Sequence, residues 1–198
     1  MTQLQISNLA MNHLGLSELA NLTDDDPKVD AVNTFWEPTR DDLFRRGWWT
    51  FATAQKLLTD VTDQDNLIEG WDYYYTMPSS AMNIQCVYDA NTTDTKYNQK
   101  WEEQYSITMN TTVILTNLGT AYADITYKVT DTAKWTSDFV MAFSYQLASF
   151  IAHQLTGDPN MGLALAEIAT RYINETKRVS HTQKQQNPTQ HSGYRESR

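Results

Sequence analysis

The segment from Phe139 to Gln154 carries apolar side chains on nearly every side of the helix that its spacing predicts. Apolar residues recur at intervals of three and four, which places them on one helical face, and the residues between them are mostly apolar too. A helix of this kind is stable only inside a hydrophobic core or against another subunit. The rest of the chain, or a neighbouring subunit, therefore has to cover it.

Three further segments have helical spacing, two near the start of the chain and one after the apolar segment. The predicted helices are residues 3–15, 26–46, 137–156 and 159–179. Asp26 and Pro27 suit the N-cap and the first helical position of the second helix, and Gly157 suits the end of the third. Pro38 is expected to kink or split the second helix, because proline has no amide proton and clashes with the preceding turn.

The middle of the chain, residues 48–130, changes to short aromatic and β-branched runs separated by turn residues. These runs predict a small, mostly antiparallel sheet, and they are Trp48–Leu58, Trp71–Met77, Met82–Asp89, Trp101–Ile107, Val113–Asn117 and Ala121–Val129. We expect an α+β fold that is mainly α. A helical-bundle body over residues 1–179 carries a small antiparallel β lobe, and polar residues 180–198 form a flexible C-terminal tail.

Charge is divided unevenly along the chain. The whole chain has 15 basic and 24 acidic residues and a net charge of −9. Residues 171–198 have six basic and two acidic side chains, a net charge of +4, which leaves −13 for residues 1–170. An acidic body of this kind excludes a protein that wraps nucleic acid by neutralising phosphates. The basic segment favours docking on an acidic partner, because opposite charges steer association.

The sequence has none of the common nucleotide-binding, zinc-protease, serine-hydrolase or calcium-loop motifs, and we expect no cofactor or metal. Its single cysteine, Cys86, excludes a disulfide framework. No apolar run reaches 18 residues and no secretory signal precedes the first helix, so we expect a soluble product made in a cytoplasm. The acidic pairs Asp41-Asp42 and Glu102-Glu103 leave open a glycosidase, which needs two carboxylates facing a sugar.

Two aromatic clusters, at residues 48–51 and 71–75, place large rings on both faces of an extended segment. One interpretation is a small sheet covered by helices on its second face. The other is a subunit interface, where tryptophan and tyrosine are enriched. Exposed rings of this kind also leave open a glycan-binding or small-molecule-binding module. The predicted interface residues are Trp48, Trp49, Trp71, Tyr73 and Phe143.

Five blocks follow one another along nearly the whole chain. They are residues 10–24, with AMNHLG and LANLTD, residues 35–46 (FWEPTRDDLFRR), 47–54 (GWWTFATA), 71–80 (WDYYYTMPSS) and 147–158 (LASFIAHQLTGD). In this order the blocks resemble the tail tubular protein A family, the head-to-tail adaptors of short-tailed phages. Gly47 and Ser80 depart from the family's pattern, which often has Pro and Asp at these positions.

The resemblance implies a structural virion protein that is not an enzyme, located at the tail or neck of the virion and assembled in the host cytoplasm. Members form a dodecameric homo-oligomeric ring between the portal protein and the tail nozzle, and tail fibres or tailspikes attach near that junction. Double-stranded DNA passes through the ring without specific binding, and no membrane is involved. The alternative that stays open is a virion-associated peptidoglycan-degrading enzyme.

The portal-binding part implied by the resemblance is the C-terminal segment, and the central sheet with its loops is expected to face the nozzle. Residues 171–198 combine this expectation with the positive charge found above. The predicted portal-binding residues are Arg171, Lys177, Arg178, Lys184, Tyr194, Arg195 and Arg198.

Overall fold

The computed structural model describes residues 1–63, 68–89 and 99–184, with side chains described as far as residue 176. Its helices are α1 (Gln3–His13), α2 (Pro27–Arg46), α3 (Ser137–Thr156) and α4 (Pro159–Lys184). Its strands are β1 (Thr53–Leu57), β2 (Thr59–Asp60), β3 (Tyr73–Thr76), β4 (Ala81–Tyr88), β5 (Trp101–Ser106), β6 (Thr111–Thr116) and β7 (Tyr122–Tyr127). The fold is mixed α+β, as predicted.

The helix ends follow the local signals in the sequence. The Asp26 side chain accepts a hydrogen bond from the amide of Lys28 at 2.8 Å, and Pro27 takes the first position of α2. Gly157 ends α3 in the left-handed conformation, with a φ of 73° that a glycine adopts without steric cost. The predicted bounds of α2 and α3 are confirmed to within one residue.

Three helical expectations differ from the structure. Helix α1 ends at His13, two residues before its predicted end. Pro38 does not split α2, which runs unbroken from Pro27 to Arg46. The proline ring lies on the exposed face of the helix. Water can therefore hydrogen-bond the carbonyl group one turn earlier, which receives no amide proton from a proline. Helix α4 continues to Lys184, five residues beyond its predicted end. The rest of the predicted flexible tail, residues 185–198, lies outside the described residues.

Helix α3 is the centre of the helical part and contacts α1, α2 and α4. Its rings Phe139 and Phe143 are fully buried. The Phe143 ring centroid lies 4.5 Å from that of Trp36 on α2, and the Phe139 centroid lies 4.7 Å from that of Trp135, which precedes α3. Helices of the same chain, rather than another subunit, therefore cover the apolar segment recognised in the sequence.

The β residues form two antiparallel sheets and not the single sheet that was predicted. One sheet has the strand order β1-β7-β4, and the other has the order β2-β3-β6-β5. Ile84 and Ile125 of the first sheet share a buried cluster with Tyr75 and Ile114 of the second. The two sheets thus bury their facing sides against each other, as in a small sandwich.

The tyrosines Tyr73, Tyr74 and Tyr75 of β3 alternate between the two faces of the second sheet. Tyr75 lies in the cluster between the sheets, whereas Tyr74 is buried on the other face with Val113 and Leu115. A strand buried on both faces is what the aromatic run predicted. The side chains that pack on the second face in the described residues come from loops and not from a helix: Val61, Trp71 and Met109.

The helical part and the β lobe meet at the C-terminal half of α2. The Asn83 side chain on β4 donates a hydrogen bond to the carbonyl of Arg45 at 3.0 Å. Lys128, which follows β7, forms an ion pair with Asp41 at 2.9 Å. These contacts fix the orientation of the lobe at its base, whereas the turn between β5 and β6, residues 107–111, is largely exposed.

Candidate interaction surfaces

The structure divides the five predicted interface residues into two groups. Trp49 and Phe143 belong to the core of the chain itself, because 1% and 0% of their surface is exposed. The Trp49 indole donates a hydrogen bond to the Leu43 carbonyl at 2.7 Å. Neither side chain has surface left to bury against a second subunit, so this part of the prediction is corrected.

The other three predicted interface residues, Trp48, Trp71 and Tyr73, are partly exposed. Trp71 packs on the outer face of the second sheet, and Tyr73 packs on the cluster between the sheets. A Cβ atom at Gly119 would lie 3.3 Å from the Tyr73 hydroxyl oxygen, so the glycine makes room for this ring. Trp71 and Tyr73 therefore mainly hold the lobe together and have a smaller share of surface left for contacts.

Larger apolar side chains are exposed elsewhere on the described surface. Ile107 is 89% exposed and Leu163 is 68% exposed. The remaining ones are Met1, Leu57, Ile68, Tyr105 and Phe150. Single exposed apolar residues are common on protein surfaces, so their grouping on particular elements is what matters. Two locations stand out, the β5–β6 hairpin with Tyr105 and Ile107, and the surface of α4 around Leu163.

The first grouping, which we call the hairpin tip, consists of Glu103, Tyr105 and Ile107. Strand β5 lies at the edge of its sheet, where it pairs with β6 alone among the described strands. Glu103 and Tyr105 share one face of β5, because alternate residues of a strand point to the same side. The Tyr105 hydroxyl donates to the side chain of Asn110, whose φ of 50° forms the turn. The tip is therefore ordered although it is exposed.

The second grouping, the α4 depression, lies on the outer side of α4. It is an open hollow of about 510 Å³, and the residues that line it are Leu163, Ala166, Glu167, Thr170 and Arg171. These positions share one helical face at intervals of three and four. The opposite face of α4 buries Leu165, Ala169 and Ile173 against the core of the helical part. The depression is therefore a fixed surface of the folded chain.

The predicted portal-binding residues fall into three sets. The exposed Arg171 lines the α4 depression. Lys177, Arg178 and Lys184 are residues of helix α4. The first half of the basic segment, residues 171–184, is therefore part of helix α4 and not of the tail. Tyr194, Arg195 and Arg198 lie outside the described residues.

The acidic pairs considered for a glycosidase do not converge on a common point. Asp41 pairs with Arg40 and Lys128, and Asp42 pairs with Arg46. Burial alone would raise the pKa of Asp41, but hydrogen bonds and positive charge from Lys128 and Arg40 outweigh it and hold that pKa below its ordinary value. The other pair, residues 102–103, consists of neighbours on β5, which point to opposite faces.

His13 of α1 occupies a structural position against α3. Its ring stacks on Tyr145 with centroids 3.8 Å apart, and its Nε2 atom lies 3.0 Å from the Ser144 hydroxyl oxygen. Burial lowers the pKa of His13. The part of the chain with described coordinates has no group of three or more His, Cys, Asp or Glu side chains that could hold a metal ion.

Sequence reasoning missed the hairpin tip and the α4 depression. Ile107 was assigned to a strand run, although it lies just before the turn at Asn110, where a side chain has no neighbouring strand to cover it. Leu163 lies within the last predicted helix, residues 159–179. It lies two residues before Leu165, and two helical positions are about 200° apart, so both cannot face α3.

Comparison with protein-family models and with curated proteins gives no match for this chain. Across residues 1–63, 68–89 and 99–184, no helix combines the length and the apolar character needed to cross a membrane.

Proposed function

We propose that this chain is a structural virion protein, a head-to-tail adaptor similar to tail tubular protein A of short-tailed phages. Copies of it assemble into a ring, with twelve subunits as in the family it resembles, between the portal protein and the tail nozzle. The helices form a bundle that is the body of each subunit. The ring lets double-stranded DNA through its channel and gives tail fibres or tailspikes a platform. This assignment rests on the sequence blocks and on the surfaces described above.

The observation that carries the proposal is the presence of two apolar surfaces on different elements, the hairpin tip and the α4 depression. A ring closes through heterologous contacts, in which two different patches meet. Ile107 and Leu163 stand at two such patches, and both are exposed in the isolated chain. Ring assembly provides a partner surface that covers them. The partly exposed rings of Trp48, Trp71 and Tyr73 can add to the same contacts.

The distribution of charge along the chain supports two proposed features of the ring, a channel that does not bind DNA and a surface that binds the portal. The acidic body, with a net charge of −13 over residues 1–170, does not grip DNA, because few cations are available to neutralise phosphates. The basic residues are concentrated in α4 and beyond it, where the portal is expected to bind. An acidic surface on the portal would be steered towards this end of the chain.

Two truncations test the role of the C-terminal segment. The first ends the chain at Lys184 and keeps the whole of α4, and the second ends it at residue 179, as the sequence boundary suggested. Both should stay soluble and folded, because they keep every side chain of α4 that the structure describes as buried, the last of which is Thr176. We expect the shorter chain to lose co-sedimentation with portal particles.

The control for these truncations keeps the full length and changes only charge. Replacing Lys177, Arg178 and Lys184 together by glutamine should weaken portal binding and increase its sensitivity to salt. Replacing Lys56, Lys100 and Lys134, which lie on the surface of other elements, should leave portal binding unchanged. Portal binding by the shorter truncation at the level of the full chain would contradict the proposal.

A further inference from the structure

We infer that the hairpin tip of one subunit docks into the α4 depression of a second copy of this chain. The inference rests on the proposed assembly of copies into a ring, and it specifies which two surfaces meet. It assigns the main subunit contact to Ile107, Tyr105 and Leu163, and not to the tryptophans that the sequence predicted.

The hairpin tip has the properties of a protruding contact. Ile107 is 89% exposed, and Tyr105 beside it is more than half exposed. The amide of Met109 donates to the Ser106 hydroxyl at 3.2 Å, and Tyr105 bonds Asn110 across the same turn. Because these bonds order the tip before any partner binds, docking loses little conformational entropy. A preformed apolar projection on an edge hairpin favours insertion into a concave partner.

The α4 depression has the properties of the receiving surface. Leu163, which is 68% exposed, and Ala166 are its apolar side chains, and the buried opposite face of α4 holds the surface in place. The depression opens to solvent along one helix, whereas small-molecule sites enclose most of their ligand. This shape suits side chains presented by another protein.

Charge at the rims of the two surfaces is complementary and sets a direction. Glu103 lies two residues before Tyr105 on the same face of β5. Arg171 lies at the C-terminal end of the α4 depression, and Glu167 lies nearer its middle. The carboxylate of the hairpin is therefore drawn towards the Arg171 end and repelled from the middle. The hairpin tip should lie with Glu103 near Arg171 of the second copy and Ile107 near Leu163.

The two surfaces are different, so their contact is heterologous. Each subunit can offer its hairpin tip to one neighbour and its α4 depression to another. Repetition of such a contact produces a closed ring or an open chain, whereas a self-complementary patch would stop at a dimer. Ile107 and Leu163 are both strongly exposed in one chain, so a charged residue at either position should leave the fold intact.

The experiment uses two variants of the full-length protein, Ile107→Asp and Leu163→Asp. Sedimentation velocity and native mass spectrometry measure the assembly of each variant, alone and in an equimolar mixture. The matched controls are Gln104→Asp on β5 and Ala164→Asp on α4, which are exposed neighbours of the two positions. Circular dichroism and the urea midpoint establish that all four variants are folded.

We expect the wild-type protein and both controls to form large assemblies, and each variant alone to stay monomeric. The mixture should form a dimer and nothing larger. In that dimer the intact hairpin tip of the Leu163→Asp chain binds the intact α4 depression of the Ile107→Asp chain, and the two remaining surfaces are blocked. Assembly of either variant at the wild-type level, or a mixture that stays monomeric, would overturn the inference.

Portal binding separates this inference from the proposed function. If Ile107→Asp assembles normally but no longer binds portal particles, the hairpin tip contacts the portal and the inference is wrong, while the adaptor function stands. If wild-type protein stays monomeric with and without portal, both fail. A charge exchange adds a second criterion: Glu103→Arg and Arg171→Glu should each weaken assembly by about tenfold in dissociation constant, and the double variant should recover most of it.

Discussion

The indole nitrogen of Trp49 donates a hydrogen bond to the main-chain carbonyl of Leu43 over 2.7 Å, in a fully buried position. This bond folds the segment after α2 back onto the last turns of the helix. The indole ring contacts Phe139 of α3 edge-on, with centroids 4.7 Å apart. Trp49 therefore connects the end of α2 to the centre of the helical core, at the point where the chain turns towards the β lobe.

The first prediction concerns Gly47, which lies against the Trp49 ring. A Cβ atom at Gly47 would be 2.3 Å from indole atoms of Trp49, much closer than van der Waals contact. Gly47→Ala must therefore displace the ring and weaken its bond to Leu43. We expect the free energy of unfolding to fall by about 1–3 kcal/mol, measured by urea denaturation.

The control for this variant is Gly119→Ala. There the added Cβ atom would lie 3.3 Å from the Tyr73 hydroxyl oxygen, so the partly exposed tyrosine ring needs to shift by only a few tenths of an ångström. We expect the free energy of unfolding to fall by less for Gly119→Ala than for Gly47→Ala. Equal losses for the two variants would contradict the assignment of Trp49 as a fixed core ring.

The second prediction is an acid-dependent loss of stability from Asp41. Its pKa is held below the ordinary value of 3.8 by Lys128 and Arg40. A carboxyl with a depressed folded-state pKa stabilises the protein above its unfolded pKa, and that contribution is lost as pH falls through the folded pKa. Asp41→Asn should reduce stability at pH 6 by about 1 kcal/mol or less, because the pair is partly exposed.

The pH profile of unfolding tests this prediction. Between about pH 4 and pH 2, the wild-type urea midpoint should fall more steeply than that of Asp41→Asn. The exposed Asp131→Asn, whose partner Lys134 is 3.9 Å away, is the control and should keep the wild-type slope. A pH profile for Asp41→Asn that runs parallel to that of the wild type would mean that the ion pair between Asp41 and Lys128 does not stabilise the junction between α2 and the β lobe.

The third prediction is a decrease in stability between pH 7.5 and pH 5 that depends on His13. Burial lowers its pKa from the ordinary value of 6.5, so the unfolded chain binds a proton more readily than the folded one. Stability should therefore decrease as pH falls below about 6.5 and level off once pH is below the folded pKa. We expect a decrease of under about 1 kcal/mol between pH 7.5 and pH 5, since the ring is only half-buried.

Replacement of His13 by glutamine should remove this pH dependence and lower stability at pH 7.5 through the loss of stacking on Tyr145. The exposed His153→Gln variant provides the comparison and should behave as wild type. If His13→Gln retained the full dependence between pH 7.5 and pH 5, the histidine would not be its source.

The fourth prediction is that the purified protein does not clear peptidoglycan. Asp41 and Asp42 are both engaged by basic side chains, and residues 102–103 point to opposite faces of a strand. Neither pair provides two free carboxylates about 5–9.5 Å apart on a shared substrate. A zymogram should stay opaque. Clearing that disappears in Glu103→Gln or Asp42→Asn would support the enzyme instead of the adaptor.

Local chemistry explains why the helices were predictable. The N-cap at Asp26, the proline after it and the left-handed Gly157 each act within one turn of the helix end. The two sheets were not predictable in the same way. Strand β1 pairs with β7, with Thr53 opposite Thr126, and no local signal records a pairing between residues so far apart. The sequence therefore predicted the strands but not their division into sheets.

The interface prediction failed for a similar reason. Trp48 and Trp49 are adjacent and identical in type, yet Trp49 is fully buried and Trp48 is partly exposed. What separates them is the close approach of Gly47 and the carbonyl of Leu43, which exist only in the folded chain. In the same way, Ile107 has the residue type of a core strand but lies at a turn. Residue type alone does not identify the surface that a partner uses.

The most direct test of the proposed adaptor role is electron microscopy of the purified protein mixed with portal protein. We expect a ring of this protein, with twelve subunits, stacked on one end of each portal particle. Portal particles that remain bare at both ends, beside unassembled subunits that are folded by circular dichroism, would contradict it.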